Sequence, residues 1–320
     1  MRVVLSVGRY FKKRFGGRVR KIPISLQGFT CPNIDGSLAK GGCIYCDNES
    51  FSPSLIKLDK ISQVKMNFSL TTNPLLEKQL HQLEEQFCWH SEFHQRKFGV
   101  GKYMVYFQSY TNTYAPFDTL KALYDKALSF PNVVGLSIGT RIDCVEDRLL
   151  ELLGEYVKNG KEIWLEYGIQ SVYDKTLELT NRAHSIAGAK EMFEKTRAKG
   201  VKVCAHLIYG LPEETPEMML HSLDCVLEWG INGIKIHPLY VVNGTRLAKL
   251  YKEGKYEPIT MECFSDLIVE SLQRIPADVV VQRISAGAHD NTLLAPKWCF
   301  DKNIQMRCLR DKLKAVGIEY

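Results

Sequence analysis

Three cysteines crowd the stretch from Thr30 to Phe51, TCPNIDGSLAKGGCIYCDNESF, with eleven residues between Cys31 and Cys43 and two between Cys43 and Cys46. Thiolates are soft ligands that suit zinc or iron–sulfur iron, and a Cys-x-x-Cys turn aims two sulfurs at one centre. The number of ligands is the informative feature. A structural zinc site closes with four protein ligands, whereas a catalytic metal keeps one position open. After Cys46 there is no further Cys or His before His81, so the stretch supplies three ligands and no fourth. Gly41 and Gly42, directly before Cys43, let the backbone pass close to a bulky cluster. On spacing alone, zinc and an iron–sulfur cluster both stay open.

The chain around this stretch has 320 residues, a net charge of +6 and ten cysteines. Its length holds one barrel-sized domain or two small ones, and its composition is that of a folded protein. The cysteines are spread thinly, as in a cytoplasmic enzyme rather than a disulfide scaffold. No apolar run approaches the ~20 residues of a membrane span. Met1 to Leu5 is too short for a signal peptide. A cytoplasmic protein with no membrane partner is expected. Residues 9–21, RYFKKRFGGRVRK, carry seven Lys and Arg interleaved with Tyr10, Phe11 and Phe15. Such an arm can bind nucleic-acid phosphates and stack on bases, or it can be a solvated helix whose aromatics dock on the core.

The elements that must position the cysteines alternate. Strands are expected at 22–26, 103–108, 133–138, 162–170, 201–209, 233–239 and 279–284. Helices are expected from Pro74 to about His90 and at 117–128, 146–158, 185–199, 216–229 and 260–274, with a helical tail from Lys297 and loop at 52–73. Strands that alternate with helices of 10–15 residues imply a parallel sheet, here six strand–helix units and one further strand. No Gly-x-Gly-x-x-Gly or phosphate-loop sequence supports a nucleotide-binding doubly wound fold. A parallel α/β barrel keeps its chemistry at the C-terminal ends of the strands, and the unusual polar residues fall there. The cysteine loop follows strand one, and Gln108 to Asn112 follow strand two. Thr140, Arg141 and Asp143 end strand three. Glu166 and Gln170 share a face of strand four. Cys204, His206, Ile208 and Gly210 share one on strand five, Lys235 and His237 share one on strand six, and Arg283 ends the last strand.

At these residues a family resemblance becomes specific. Cys43-Ile44-Tyr45-Cys46, LEYGIQS (165–171), NRAH (181–184) and HLIYGLPEET (206–215) resemble the core motifs of radical S-adenosylmethionine (SAM) enzymes. The branch resembled is the Elongator-type and coproporphyrinogen-dehydrogenase one, and within it the YhcC-like family. The match runs from RYFKKRFG and GFTCPNIDG through YFQSYTNTYAP to LLAPKW, essentially the whole chain. The long gap between Cys31 and Cys43 is similar to the Elongator-type spacing.

The resemblance implies a partial TIM barrel, a (β/α)6 core over about 20–285 in a single domain spanning 1–320, with a short N-terminal arm and a C-terminal extension over about 286–320. It implies one [4Fe-4S] cluster on Cys31, Cys43 and Cys46, with SAM on the iron that lacks a protein ligand. Reductive cleavage of SAM would give methionine and a 5′-deoxyadenosyl radical that removes a substrate hydrogen. A flavodoxin or ferredoxin would supply the electron. Gln170 and Arg182 would meet the ribose and methionine carboxylate of SAM, Ile208 its adenine and the Tyr45 backbone the adenine edge. Gly210 and Pro212 would form the turn beneath. Three departures from the pattern stand out. Gln108-Ser109-Tyr110 replaces the Gly-Gly-Glu-like turn that holds the SAM amine, and Gly139 stands where relatives have a Glu, leaving Glu166 to offer a carboxylate. His206 replaces an acidic residue before LIYGLP, with ribose or substrate as its expected contact. For the substrate, kinship with the Elongator catalytic subunit suggests RNA, in particular a tRNA wobble uridine. A small anionic metabolite bound by Lys235, His237 and Arg283 is the alternative. A zinc-stabilised binding protein without enzymatic activity is the third reading.

Overall fold

A computed structural model of the chain describes residues 1–47, 64–287 and 292–320. Seven parallel strands form one curled sheet in simple sequence order: β1 (Val19–Ile24), β2 (Lys102–Phe107), β3 (Val133–Thr140), β4 (Glu162–Gln170), β5 (Lys202–Tyr209), β6 (Gly233–Pro238) and β7 (Val280–Arg283). This is a partial TIM barrel of six strand–helix units and one further strand, as expected. The chain enters through α1 (Val7–Phe15). It crosses between strands through α2 (Leu76–Phe98), α3 (Phe117–Ser129), α4 (Asp147–Lys158), α5 (Ala189–Ala198), α6 (Pro216–Glu228) and α7 (Met261–Arg274), and it ends on α8 (Lys302–Ala315). The expected loop at 52–73 lies, for residues 52–63, outside the described residues.

Period-two alternation explains the layering. Ile163, Leu165, Tyr167 and Ile169 of β4 and Val203, Ala205, Leu207 and Tyr209 of β5 point outward into one large apolar cluster under the helices. The opposite parity lines the barrel. Near the N-terminal ends of the strands this inner face is apolar: Val19, Met104, Trp164, Cys204 and Val280 pack around Phe11 of α1. Farther up it turns polar, and the cavity begins.

Two helices depart from expectation for visible reasons. Helix α2 runs on to Phe98 and stops at Gly99, whose N–H reaches the Gln95 carbonyl at 3.0 Å. Its added turns leave Phe93 and Phe98 exposed, so no apolar face announces them. Helix α5 starts late because Asp174 accepts from the Ser185 hydroxyl at 2.9 Å and the Ile186 N–H at 2.8 Å, which folds that segment into a turn.

Candidate active site

One cavity opens at the C-terminal ends of the strands. Cys31, Cys43 and Cys46 line it together with Tyr45, Gln108, Tyr110, Glu166, Gln170, Arg182, His206 and Ile208. Of the residues singled out for a cofactor, Gly210 and Pro212 fall elsewhere. The Gly210 carbonyl accepts from the Tyr256 hydroxyl at 2.8 Å, and a Cβ on Gly210 would lie 2.9 Å from Ile259. The glycine is needed for that close approach and for its φ of +91°, and it faces away from the cavity.

The long cysteine gap folds as a hook. Pro32 opens a one-turn helix (Pro32–Asp35), Asp35 pairs with Lys40, and the Gly42 N–H reaches the Asn33 carbonyl at 2.8 Å. Gly42 has φ +70°, a conformation that brings Cys43 back towards Cys31 at little steric cost. The Asn33 side chain donates to Cys43 Sγ at 3.3 Å and to the Asn181 carbonyl at 3.2 Å. Asn181 in turn donates to the Gly42 carbonyl at 2.7 Å, and the Ile44 N–H meets the Thr180 carbonyl at 3.0 Å. The NRAH segment thus clamps the cysteine loop from the other side.

Arg182 is buried beside the sulfurs. One guanidinium nitrogen holds the Gly168 carbonyl at 2.7 Å, another lies 3.9 Å from Cys43 Sγ, and Nε has no partner. Arg141 braces this segment. It forks onto Asp143 at 2.8 and 2.7 Å and donates to the Arg182 carbonyl at 2.9 Å. Thr111 meets Cys31 Sγ at 2.9 Å. Burial pushes the Cys31 and Cys46 thiols up, so as bare groups they keep their protons, and a bound metal ion would take the place of those protons.

The donor set, three thiolates lining one cavity, is of the kind that suits an iron–sulfur cluster. Among the described residues no group of three or more His, Cys, Asp or Glu side chains is set to share a single metal ion. The walls fit SAM. A Cβ on Gly168 would lie 2.8 Å from Arg182 and 2.9 Å from Gln170, so the bare backbone lets both side chains converge. The buried Arg182 Nε and Tyr45 hydroxyl are polar atoms without partners. Tyr110 and Gln170 line the cavity with φ of +64° and +70°, backbone strain of the kind found at binding sites.

Below this region lies a floor of charge. Glu166 is fully buried, and its two oxygens accept from Lys21 at 2.5 Å, Ser137 at 2.5 Å, His206 at 3.0 Å and Lys235. Burial opposes its charge, but Lys21, Lys235 and His206 overcome this and hold the carboxyl well below its usual value. Lys235 is pushed down to about 8 by burial, Lys21 and Arg283, against the pull of Glu166. Burial and Lys235 take His206 down to about 4, and burial, Arg283 and His206 hold His237 well below normal. Glu166 thus lines the cavity with both oxygens already engaged by four protein donors. Sequence reasoning missed Lys21 and Tyr106, the latter accepting from Lys235 at 3.0 Å. Alternation would have found both: Lys21 shares the inward parity of Val19, and Tyr106 that of Met104 and Gln108.

The basic arm lies at the other end. Phe11 is buried in the apolar plug, and Tyr10 donates to Glu162 and packs edge-on to Trp164 at 5.8 Å. Its aromatics are docked, not free to stack on bases.

Comparison with known proteins accords with this geometry. Residues 39–226 match the radical SAM superfamily and residues 231–315 the radical SAM C-terminal domain. The chain is 38% identical over 319 residues to protein YhcC of Escherichia coli K12, covering 99% of this chain and 94% of that one. It is 28% identical over 204 residues to mouse (Mus musculus) Elongator complex protein 3, 60% of this chain and 36% of that protein. The solved structure of Elp3 from the archaeon Methanocaldococcus infernus, with residues 1–46 deleted, superposes with a TM-score of 0.58 over 94% of this chain and 64% of that one. At 16% identity that likeness speaks for the fold alone. Among the described residues no helix is long and apolar enough to cross a membrane.

Proposed function

The chain belongs to the radical SAM superfamily and is a radical SAM enzyme, and from that premise we propose that Cys31, Cys43 and Cys46 hold its [4Fe-4S] cluster. The observation that carries this reading is three buried or half-buried sulfurs facing one cavity with no fourth protein ligand grouped with them among the described residues. When bound, cluster and SAM supply the one-electron chemistry that ends in hydrogen abstraction from a substrate, with methionine and 5′-deoxyadenosine as products.

The chain's own residues divide the remaining work. Asn33 and Arg182 aim N–H donors at Cys43 Sγ, which stabilises negative charge on the sulfur. Arg182, with its free Nε, and Gln170 take the carboxylate and ribose of SAM. Ile208 and Tyr45 wall its adenine, and Gln108 and Tyr110 form the lip where relatives hold the amine. His206 is tied to Glu166 and faces the substrate side. The C-terminal extension belongs to the same working unit: α8 packs against α7, and the Ile318–Glu319 strand pairs with Arg2–Val3. A flavodoxin- or ferredoxin-like protein of a reducing cytoplasm would supply the electron.

Metal analysis tests the core of this reading. Anaerobic reconstitution should give about four irons and four sulfides per chain. Zinc in place of iron would end it. An RNA substrate is the second reading, favoured by the similarity to Elongator complex protein 3, but the docked arm no longer supports it. Steeply salt-dependent binding of tRNA would support it, and tRNA binding no stronger at low salt than at high salt would remove it.

A further inference from the structure

The cavity has two halves of opposite chemical character, and the second half holds more positive charge than the described residues around it balance. Lys235 and Arg283 line it and Lys21 reaches Glu166 beside them, while Glu166 is the one carboxylate among its described lining residues. The two ammonium groups are already committed to Glu166. Arg283 is not. Among the described residues its guanidinium has no hydrogen-bond or ion-pair partner, although it lines the cavity. The His237 ring lies 6.1 Å from the His206 ring and, among the described residues, makes no hydrogen bond. Lys302 is held below its usual value by partial burial and Arg283, which places a further cation close by. An arginine in a partly desolvated wall beside other cations is costly unless an anion joins it. Its fork matches a carboxylate or a phosphate through two parallel N–H donors.

We propose that Arg283, with His237 beside it, binds an anionic group of the substrate, a carboxylate or a phosphate, and so fixes the substrate in the cavity across from the Arg182–Gln170 side. The inference rests on the radical SAM reading for the identity of the other half. The Glu166 network then has a structural purpose: it uses up the charges of Lys21 and Lys235 and, among the described residues of this half, leaves Arg283 as the cation free to bind. The site takes compounds small enough to sit between the two halves and to end in a charged group at β7. Neutral analogues of the same shape leave Arg283 desolvated and unpaired, which a hydrogen-bonding site rejects strongly.

The test uses reconstituted protein saturated with SAM, titrated calorimetrically at low salt with inorganic phosphate, with succinate and with neutral succinamide. Saturable binding of phosphate or of succinate is expected, with succinamide silent, and the anion that binds tells phosphorylated from carboxylated substrates. Arg283→Gln should weaken that binding at least tenfold and leave iron content and SAM affinity unchanged, and Arg283→Lys should restore part of it. His237→Gln serves as the second variant if Arg283→Gln does not fold, and a several-fold loss is expected from it. Absence of saturable binding by both anions overturns the proposal, as does equal binding by Arg283→Gln. Displacement of SAM by the anion overturns it too, because Arg283 would then belong to the SAM half. Iron content and SAM cleavage in the same samples report on the radical SAM reading separately: a protein without iron that still binds anions through Arg283 would remove that reading and keep the anion site.

Discussion

Glu162 and Glu166 sit on the same strand with the same inward parity, four residues apart, and they do different work. Glu162 lies at the N-terminal end of the barrel. It accepts from the Tyr10 hydroxyl and, at 3.0 Å, from the Trp164 indole, and so ties α1 across the apolar plug. Glu166 lies one layer higher, where two lysines and a histidine converge on it and the cavity begins. One strand thus carries stability at its start and the candidate chemistry towards its end, as the barrel architecture dictates. The position of a carboxylate along the strand decides its role; its residue type does not.

The sharpest way to break this comparison is at Glu166. Glu166→Gln leaves Lys21 and Lys235 buried without a counter-charge, and chemical denaturation should show a loss of about 3–5 kcal/mol. A neutral result would mean that the lysines find water or another anion, and the floor would not be organised around Glu166. Phe11→Ala probes the opposite end. It opens a cavity in the plug and should cost about 3 kcal/mol in the same assay. At a temperature where the variant stays folded, iron content and SAM binding should match wild type; a drop in either would show that the two ends are coupled.

A smaller effect is expected at Glu214, near the α6 start, where burial raises the carboxyl to about 7 against the Ser171 hydrogen bond. The folded state then binds a proton that the unfolded state has released. Stability from this group is present below the ordinary carboxylate pKa and is lost as pH rises to about 7. Glu214→Gln should therefore raise the melting temperature by a few degrees at pH 8 and leave it unchanged at pH 4. Equal gains at both pH values would contradict the burial argument.

Much of this was legible in the sequence because alternation within a strand is a local property. The bounds of β4 follow from EIWLEYGIQ directly, and the same parity places Glu166, Gln170, His206, Ile208, Lys235 and His237 inside the barrel. What meets across the barrel is not local. Nothing in the sequence tells that Glu166 accepts from Lys21, 145 residues away, instead of remaining free for a ligand. Lys21 itself was hidden because it closes a run of basic residues and reads as part of the arm. That arm offers an amphipathic pattern that suits an RNA surface and a docked helix equally, and only the barrel's open lower end, which Phe11 fills, decides between them. Gly210 was drawn towards the cavity by its place after Ile208, but the chain turns away there to pack on Ile259 and Tyr256. The hook between Cys31 and Cys43 is held by Asn33 and Asn181, residues that spacing alone does not pair.

The central claim is that the three sulfurs at the upper end hold the cluster at which SAM is cleaved. It is tested most directly by incubating anaerobically reconstituted wild-type protein and Cys43→Ala with SAM and a strong reductant and quantifying 5′-deoxyadenosine. Wild type should give product that depends on both SAM and reductant, and the variant none above background. Wild-type amounts of 5′-deoxyadenosine from Cys43→Ala would contradict it.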